Sequence, residues 1–183
     1  MAVTAPPTSQ SELLLYQLAA QQRTLYLSAR RTAPAIRDAI ERSVPEYAQI
    51  HVHAVDRDGP IDDITDLVGR FESSSVVLID PMDVIERCEP DRLREFYCTL
   101  RERLVEADSI AILHCLSGRD VPAERDLTTY MADVVFQLRT ETRGDSVETR
   151  LTVPKFRGGR ALPKALELEL TDTVAVDTSR DIA

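Results

Sequence analysis

Apolar and polar positions alternate along the chain with two different periods, and the switches between them mark the elements. Residues 11–21 carry Leu13, Leu14, Leu15, Tyr16 and Leu18, too uniformly apolar for a surface helix, so a buried helix is predicted there. A short strand follows at residues 25–28. Thr32 is placed to cap the next helix, Pro34 suits its first turn, and Ile36 and Ile40 face inward four residues apart. Residues 50–55 alternate as a strand, Gly59-Pro60 breaks it, and Ile61, Ile64, Val68 and Phe71 return to helical spacing. Val76–Asp80 is a continuous apolar run ending in a carboxylate, the pattern of a strand buried on both faces of a parallel sheet. Leu93, Phe96, Tyr97, Leu100 and Leu104 line the clearest amphipathic helix, Ile110–Leu116 is a second buried strand, and residues 123–131 form a short helix leading into a strand at 134–138.

Beyond that point the pattern changes. Gly144-Asp145 lies between two strand-like arms, residues 134–142 and 147–153, and reads as a hairpin turn. Leu166, Leu168 and Leu170 alternate with Glu167 and Glu169, Thr171-Asp172-Thr173 turns the chain, and residues 174–176 close another short pair. The expected fold is therefore α/β, a three-layer arrangement around a mostly parallel central sheet with antiparallel strands at its C-terminal end. Nothing divides residues 1–177 into two domains, and residues 178–183 read as a tail.

Composition narrows the function classes. The 183 residues include 31 acids against 22 bases, for a net charge of −9. Twenty of the bases are Arg, and only Lys155 and Lys164 are Lys. An acidic, Lys-poor chain fits a protein of a salt-rich cytoplasm, where excess carboxylates hold hydration, and also fits an ordinary acidic domain from a GC-rich genome. No apolar run of 18 residues exists and the start of the chain lacks a signal-peptide pattern, so the expectation is a soluble cytoplasmic protein without a membrane. Cys88, Cys98 and Cys115 form neither a disulfide framework nor a zinc spacing. The charge balance argues against a general phosphate-backbone binder.

Five segments in order carry a resemblance. Residues 3–15, Val-Thr-Ala-Pro-Pro-Thr-Ser-Gln-Ser-Glu-Leu-Leu-Leu, resemble the strand, phosphate loop and first helix of a RecA-like ATPase of the KaiC kind. In such a loop glycines let backbone N–H groups curl around phosphates, Lys neutralises their charge, and Ser or Thr holds magnesium. Here Ala5 stands for the first Gly, Gln10 for the second, Ser11 for the Lys and Glu12 for the Ser or Thr, with Thr8 within the loop. Residues 25–32 resemble the strand that ends in two water-activating glutamates, with Arg30 and Arg31 at those positions. A guanidinium cannot act as a general base. That pair reads either as an anion or partner contact or as a solvated helix start. Residues 75–83 resemble the Walker B strand, with Asp80 at the magnesium-holding carboxylate. Residues 130–138 and 151–160 resemble the family's A-D-x-V-x-x-L strand and its K-x-R-G loop, whose Lys and Arg reach a neighbouring subunit's γ-phosphate; Lys155 and Arg157 match them. The same two residues could equally cap a surface strand.

The resemblance implies a RecA-like fold whose catalytic elements are lost. The first expectation is a pseudo-ATPase that acts as a regulatory or scaffolding subunit in signalling or transcription control, with no cofactor and no metal. Its partner would be an active KaiC-like ATPase or a second copy. Alternatives are a weak ATP–magnesium binder or slow ATPase using Asp80, and a DNA-binding regulator, although no basic recognition helix is present. His51 and His53 share a strand face without further ligands. His114 and Cys115 point to opposite faces of a buried strand, which forbids a Cys–His pair and suggests core packing. Arg119, Asp120, Glu124, Arg125 and Asp126 read as a solvent-accessible ion-paired loop.

Overall fold

The computed structural model describes residues 1–44, 46, 49–143, 146–160, 162–171 and 174–176. Nine strands form one sheet, β1 (Ala2–Ala5), β2 (Thr24–Ser28), β3 (Ile50–Ala54), β4 (Val76–Asp80), β5 (Ile110–Leu116), β6 (Val134–Arg143), β7 (Ser146–Phe156), β8 (Leu166–Leu170) and β9 (Val174–Val176). Their spatial order is β3-β2-β4-β5-β1-β6-β7-β8-β9. Pairing is parallel from β3 to β6 and antiparallel from β6 to β9. The expected α/β architecture is what is found.

Side-chain alternation in these strands builds a separate core on each face. Tyr26, Leu78, Ile112, Leu138, Leu151 and Leu168 join helices α1 (Ser11–Ala20) and α2 (Ala33–Ser43) through Leu15, Ile36 and Ile40. On the other face Leu27, Ile79, Leu113 and Cys115 join α3 (Pro60–Arg70) and α4 (Pro90–Glu106) through Ile64, Leu93 and Phe96. The uniform apolarity of α1 has its reason here. Leu14, Leu15, Tyr16, Ala19 and Ala20 are all buried, because the helix shares a cluster with the central strands, with α2 and with the antiparallel strands.

Four details differ from expectation. Thr32 occupies the N-cap position of α2, yet its side chain makes no capping bond; its carbonyl accepts the Ile36 N–H instead. The last helix, α5, begins at Arg125 rather than 123. A 3-10 helix over Met82–Arg87, absent from the apolar pattern, follows β4 directly. Strand β7 runs through Lys155, longer than its apolar alternation indicated. The turns at Gly144-Asp145 and Asp172-Thr173 and the tail at 178–183 lie outside the described residues.

Candidate functional site

The loop between β1 and α1 is where the resemblance places phosphate chemistry. Pro6 and Pro7 have no N–H to offer. The Ser9 N–H donates to the Pro6 carbonyl at 3.0 Å, the Ser9 hydroxyl donates to the same oxygen at 2.7 Å, and the Leu13 N–H donates to Gln10 at 3.1 Å. The loop thus closes on itself. Gly118, on the turn after β5, leans so closely on the loop that a Cβ there would meet Pro7 at 3.3 Å. Ala5 is buried at the end of β1, Thr8 and Gln10 are exposed, and Glu12 is half-buried.

Ser11, at the first turn of α1, is buried, and a chain of hydrogen bonds begins at its hydroxyl. Ser11 Oγ lies 3.1 Å from His114 Nε2, and His114 Nδ1 lies 2.6 Å from Asp80 Oδ1. The Tyr26 hydroxyl donates to Asp80 Oδ2 at 2.6 Å. An ionised carboxylate only accepts, so Nδ1 donates to Asp80, and in the neutral imidazole Nε2 accepts from the serine. The strand registers explain the convergence. Tyr26 pairs with Leu78 and Leu78 with Ile112; Asp80 and His114, two residues further along, fall on the same face as their row-mates. Beyond Tyr26, the Tyr16 ring lies 6.1 Å away and its hydroxyl accepts from Arg31 Nη1 at 2.8 Å.

Burial alone would raise the Asp80 carboxyl, but the hydrogen bond and charge of His114, with help from Tyr26 and Arg31, hold it below the usual carboxylate value. Burial and the adjacent carboxylate push the Tyr26 hydroxyl well above its ordinary value. The order Ser–His–Asp has the hydrogen bonding of a nucleophilic triad. Ser11 is only 1% exposed, so its oxygen is held inside the protein.

His114 is therefore buried as expected, but as a bonded link and not as apolar packing. Arg125 departs further from its expected solvent-exposed role. Its guanidinium is buried, donates to both Glu86 oxygens at 2.7 to 2.9 Å and to the Leu116 carbonyl at 2.7 Å, and lies 3.1 Å from Asp83. Thr128 donates to Glu86, and the Tyr97 hydroxyl meets Thr128 at 2.6 Å. Burial works against the Arg125 charge, yet its bonds to Glu86 more than restore it. Asp83, Glu86, Thr128 and the Tyr97 hydroxyl carried no reading in the sequence. The one signal available was that a tyrosine on a buried face needs a hydrogen-bond partner.

Lys155 and Arg157 meet the C-terminal end of α5. Lys155 Nζ donates to the Thr129 and Tyr130 carbonyls at 2.9 and 2.6 Å and sits 5.5 Å over the Tyr130 ring. Arg157 donates to the Tyr130 carbonyl at 3.0 Å and pairs with Asp133 at 3.0 Å. Cations are favoured at a helix end of this polarity. Arg30 is exposed beside Arg31. His51 stacks edge-on against Phe71, and His53 pairs with Asp63 at 3.3 Å. No cluster of three metal-binding side chains occurs among the described residues.

A family model described as a family of unknown function, DUF7125, matches residues 1–183. The chain belongs to that family. Among solved structures, this DUF7125 chain resembles the crystal structure of a KaiC-like protein from the hyperthermophilic archaeon Pyrococcus horikoshii OT3, with a TM-score of 0.74 at 16% sequence identity. The match covers 96% of this chain and 87% of the other. It establishes the fold, a KaiC-type RecA-like one. No curated protein matches the chain. No helix among the described residues is long and apolar enough to cross a membrane.

Proposed function

We propose that this DUF7125 chain is a non-catalytic, pseudo-ATPase version of the RecA-like fold, acting as a regulatory or scaffolding subunit through protein contact in signalling or transcription control. The observation that carries the reading is Asp80. At the strand-end position that holds magnesium in the resembled ATPases, both of its oxygens are engaged by the protein's own Tyr26 and His114. The residue at the lysine position, Ser11, binds the other side of the same imidazole.

The residues present do not fit magnesium–ATP. Two loop positions have no N–H, and the Ser9 N–H is consumed within the loop. No lysine stands in the loop, and Glu12 would meet a polyphosphate with like charge. Loss of a single transition-state cation in phosphoryl transfer costs several powers of ten in rate, and here the loop lysine, the glycines and the glutamate pair are absent together. An acidic surface with two lysines fits a salt-rich cytoplasm as the working environment.

Calorimetry with ATP and magnesium, run at low and at molar salt, tests this directly. The expected result is no saturable binding; tight binding overturns it. Purification from the native cell at native salt addresses the partner, for which an active ATPase of the same fold or a second copy is the candidate. If Lys155 and Arg157 serve a neighbour's nucleotide, they must leave the Thr129 and Tyr130 carbonyls that they cap in the lone chain. Replacing both by Ala would then abolish the partner's gain in ATP turnover, and an unchanged turnover sinks that role.

A further inference from the structure

The amino-terminal ends of the parallel strands border an apolar cleft between the last turns of α4, the first residues of β5 and the junction of α5 with β6. It lies at the opposite end of the sheet's strands from Asp80, the last residue of β4. Leu100, Leu113 and Ala132 are buried and form its floor. Leu104 and Met131 are half-buried, and Ile110 and Val105, 56% and 74% exposed, stand at the rim. The volume is about 210 Å³, and an apolar cavity of about 150 Å³ already accepts benzene.

The polar groups on the lining have hydrogen-bond partners, with one exception. The Tyr97 hydroxyl meets Thr128 at 2.6 Å, Ser109 donates to the Ala107 carbonyl at 3.0 Å, and the Met1 ammonium donates to the Ala111 carbonyl at 2.8 Å. Asp133 pairs with Arg157 at 3.0 Å. Arg101 has no partner within hydrogen-bond distance among the described residues. Its one ion pair there is with Asp133 at 3.7 Å, through the same carboxylate oxygen that Arg157 holds. A guanidinium presents a planar fork of donors that matches a carboxylate. On a chain of net charge −9, an anion is drawn to this edge only by local cations, here Arg101 and the Arg157 that neutralises Asp133.

We propose that this cleft is a small-molecule site for an apolar monocarboxylate of about eight to ten non-hydrogen atoms, with its carbon body against Leu104, Met131 and the Tyr97 ring and its carboxylate on the Arg101 guanidinium. The ligand sits against the end of α5, whose last carbonyls Lys155 and Arg157 cap. The site goes beyond the pseudo-ATPase reading and does not depend on it.

The test uses the full chain, isotopically labelled and at low ionic strength so that the charge contribution is not screened. Amide and methyl resonances are followed during titration with phenylacetate, phenylacetamide, phenylethylammonium and acetate. Phenylacetate is expected to shift Leu104, Ile110 and Met131 saturably and to give ring-to-methyl nuclear Overhauser effects at Leu104 and Met131. Phenylacetamide, which keeps the body and loses the charge, is expected to bind at least about threefold more weakly. Phenylethylammonium, with the charge reversed, and acetate, without the body, are expected to leave these resonances unmoved. R101M, at an exposed position of α4, is expected to fold as the wild type does and to bring phenylacetate down to the affinity of phenylacetamide. No saturable shift up to tens of millimolar phenylacetate overturns the proposal. Equal affinities for the carboxylate and the amide in the wild type overturn it as well, as does an R101M protein that still prefers the carboxylate. ATP binding in the calorimeter would defeat the pseudo-ATPase reading and leave this site standing.

Discussion

Two buried polar networks flank β5, one on each face of the sheet, and they solve the burial of charge differently. On the α1 side, Asp80 is held by two hydrogen-bond donors, His114 and Tyr26, with Ser11 completing the chain. On the α4 side, Arg125 lies between Glu86 and Asp83, with four side-chain or backbone oxygens around one guanidinium. The first network joins residues as much as 103 positions apart through single bonds. The second joins the 3-10 helix to α5, 39 positions apart at Glu86 and Arg125, through a forked, multidentate group. The Arg125 cluster is therefore a strut whose charges must be kept together, whereas the Asp80 chain is a filled site whose members each satisfy the next.

The largest expected effect separates the two. R125M leaves Glu86 and Asp83 buried without their cation, and a loss of about 3–5 kcal/mol in unfolding free energy is expected by chemical denaturation. D80A orphans two donors, His114 and Tyr26, and should cost about 2–3 kcal/mol. If D80A proves the more damaging of the two, the contrast between strut and filled site is wrong.

Acid sharpens the comparison next. Asp80 is held below the usual carboxylate value in the folded state, so its contribution is fully present above that value and is lost as pH falls through the depressed folded one. The wild type should lose stability faster than D80N below about pH 4, measured as denaturation midpoints across pH 2 to 7. Parallel curves for the two proteins would remove Asp80 as a source of acid sensitivity. The smallest effect expected is for S11A, about 1 kcal/mol, and a double-mutant cycle with H114Q should recover most of it as coupling. Additive losses would mean that the two side chains only lie close together.

Much of the fold was legible because it depends on local periods. The runs at Val76–Asp80 and Ile110–Leu116 and the α4 face announced themselves, and the order of elements carried the RecA-like resemblance. Asp80 could be singled out from its place at a strand end. Its partners could not, because His114 reaches it only through parallel pairing of β4 with β5, a register that no local pattern contains. Arg125 was misjudged for a related reason. Its neighbours in sequence, Glu124 and Asp126, suggest a mixed-charge surface, while its bonding partner, Glu86, lies on a 3-10 turn whose composition gives no periodic signal.

The proline pair in the β1–α1 loop has a consequence for how this fold can change. Restoring a lysine at position 11 would place a cation against an imidazole already committed to Asp80, while the two prolines would still lack the N–H groups a phosphate requires. Changes at Ala5, Pro6, Pro7, Gln10, Ser11 and His114 would be needed together, and those at Ser11 and His114 taken singly break a buried hydrogen-bond chain without recovering a site. The arrangement works as a ratchet. On the proposed pseudo-ATPase reading, once the serine–histidine–aspartate chain had closed, the shortest mutational route led away from nucleotide chemistry.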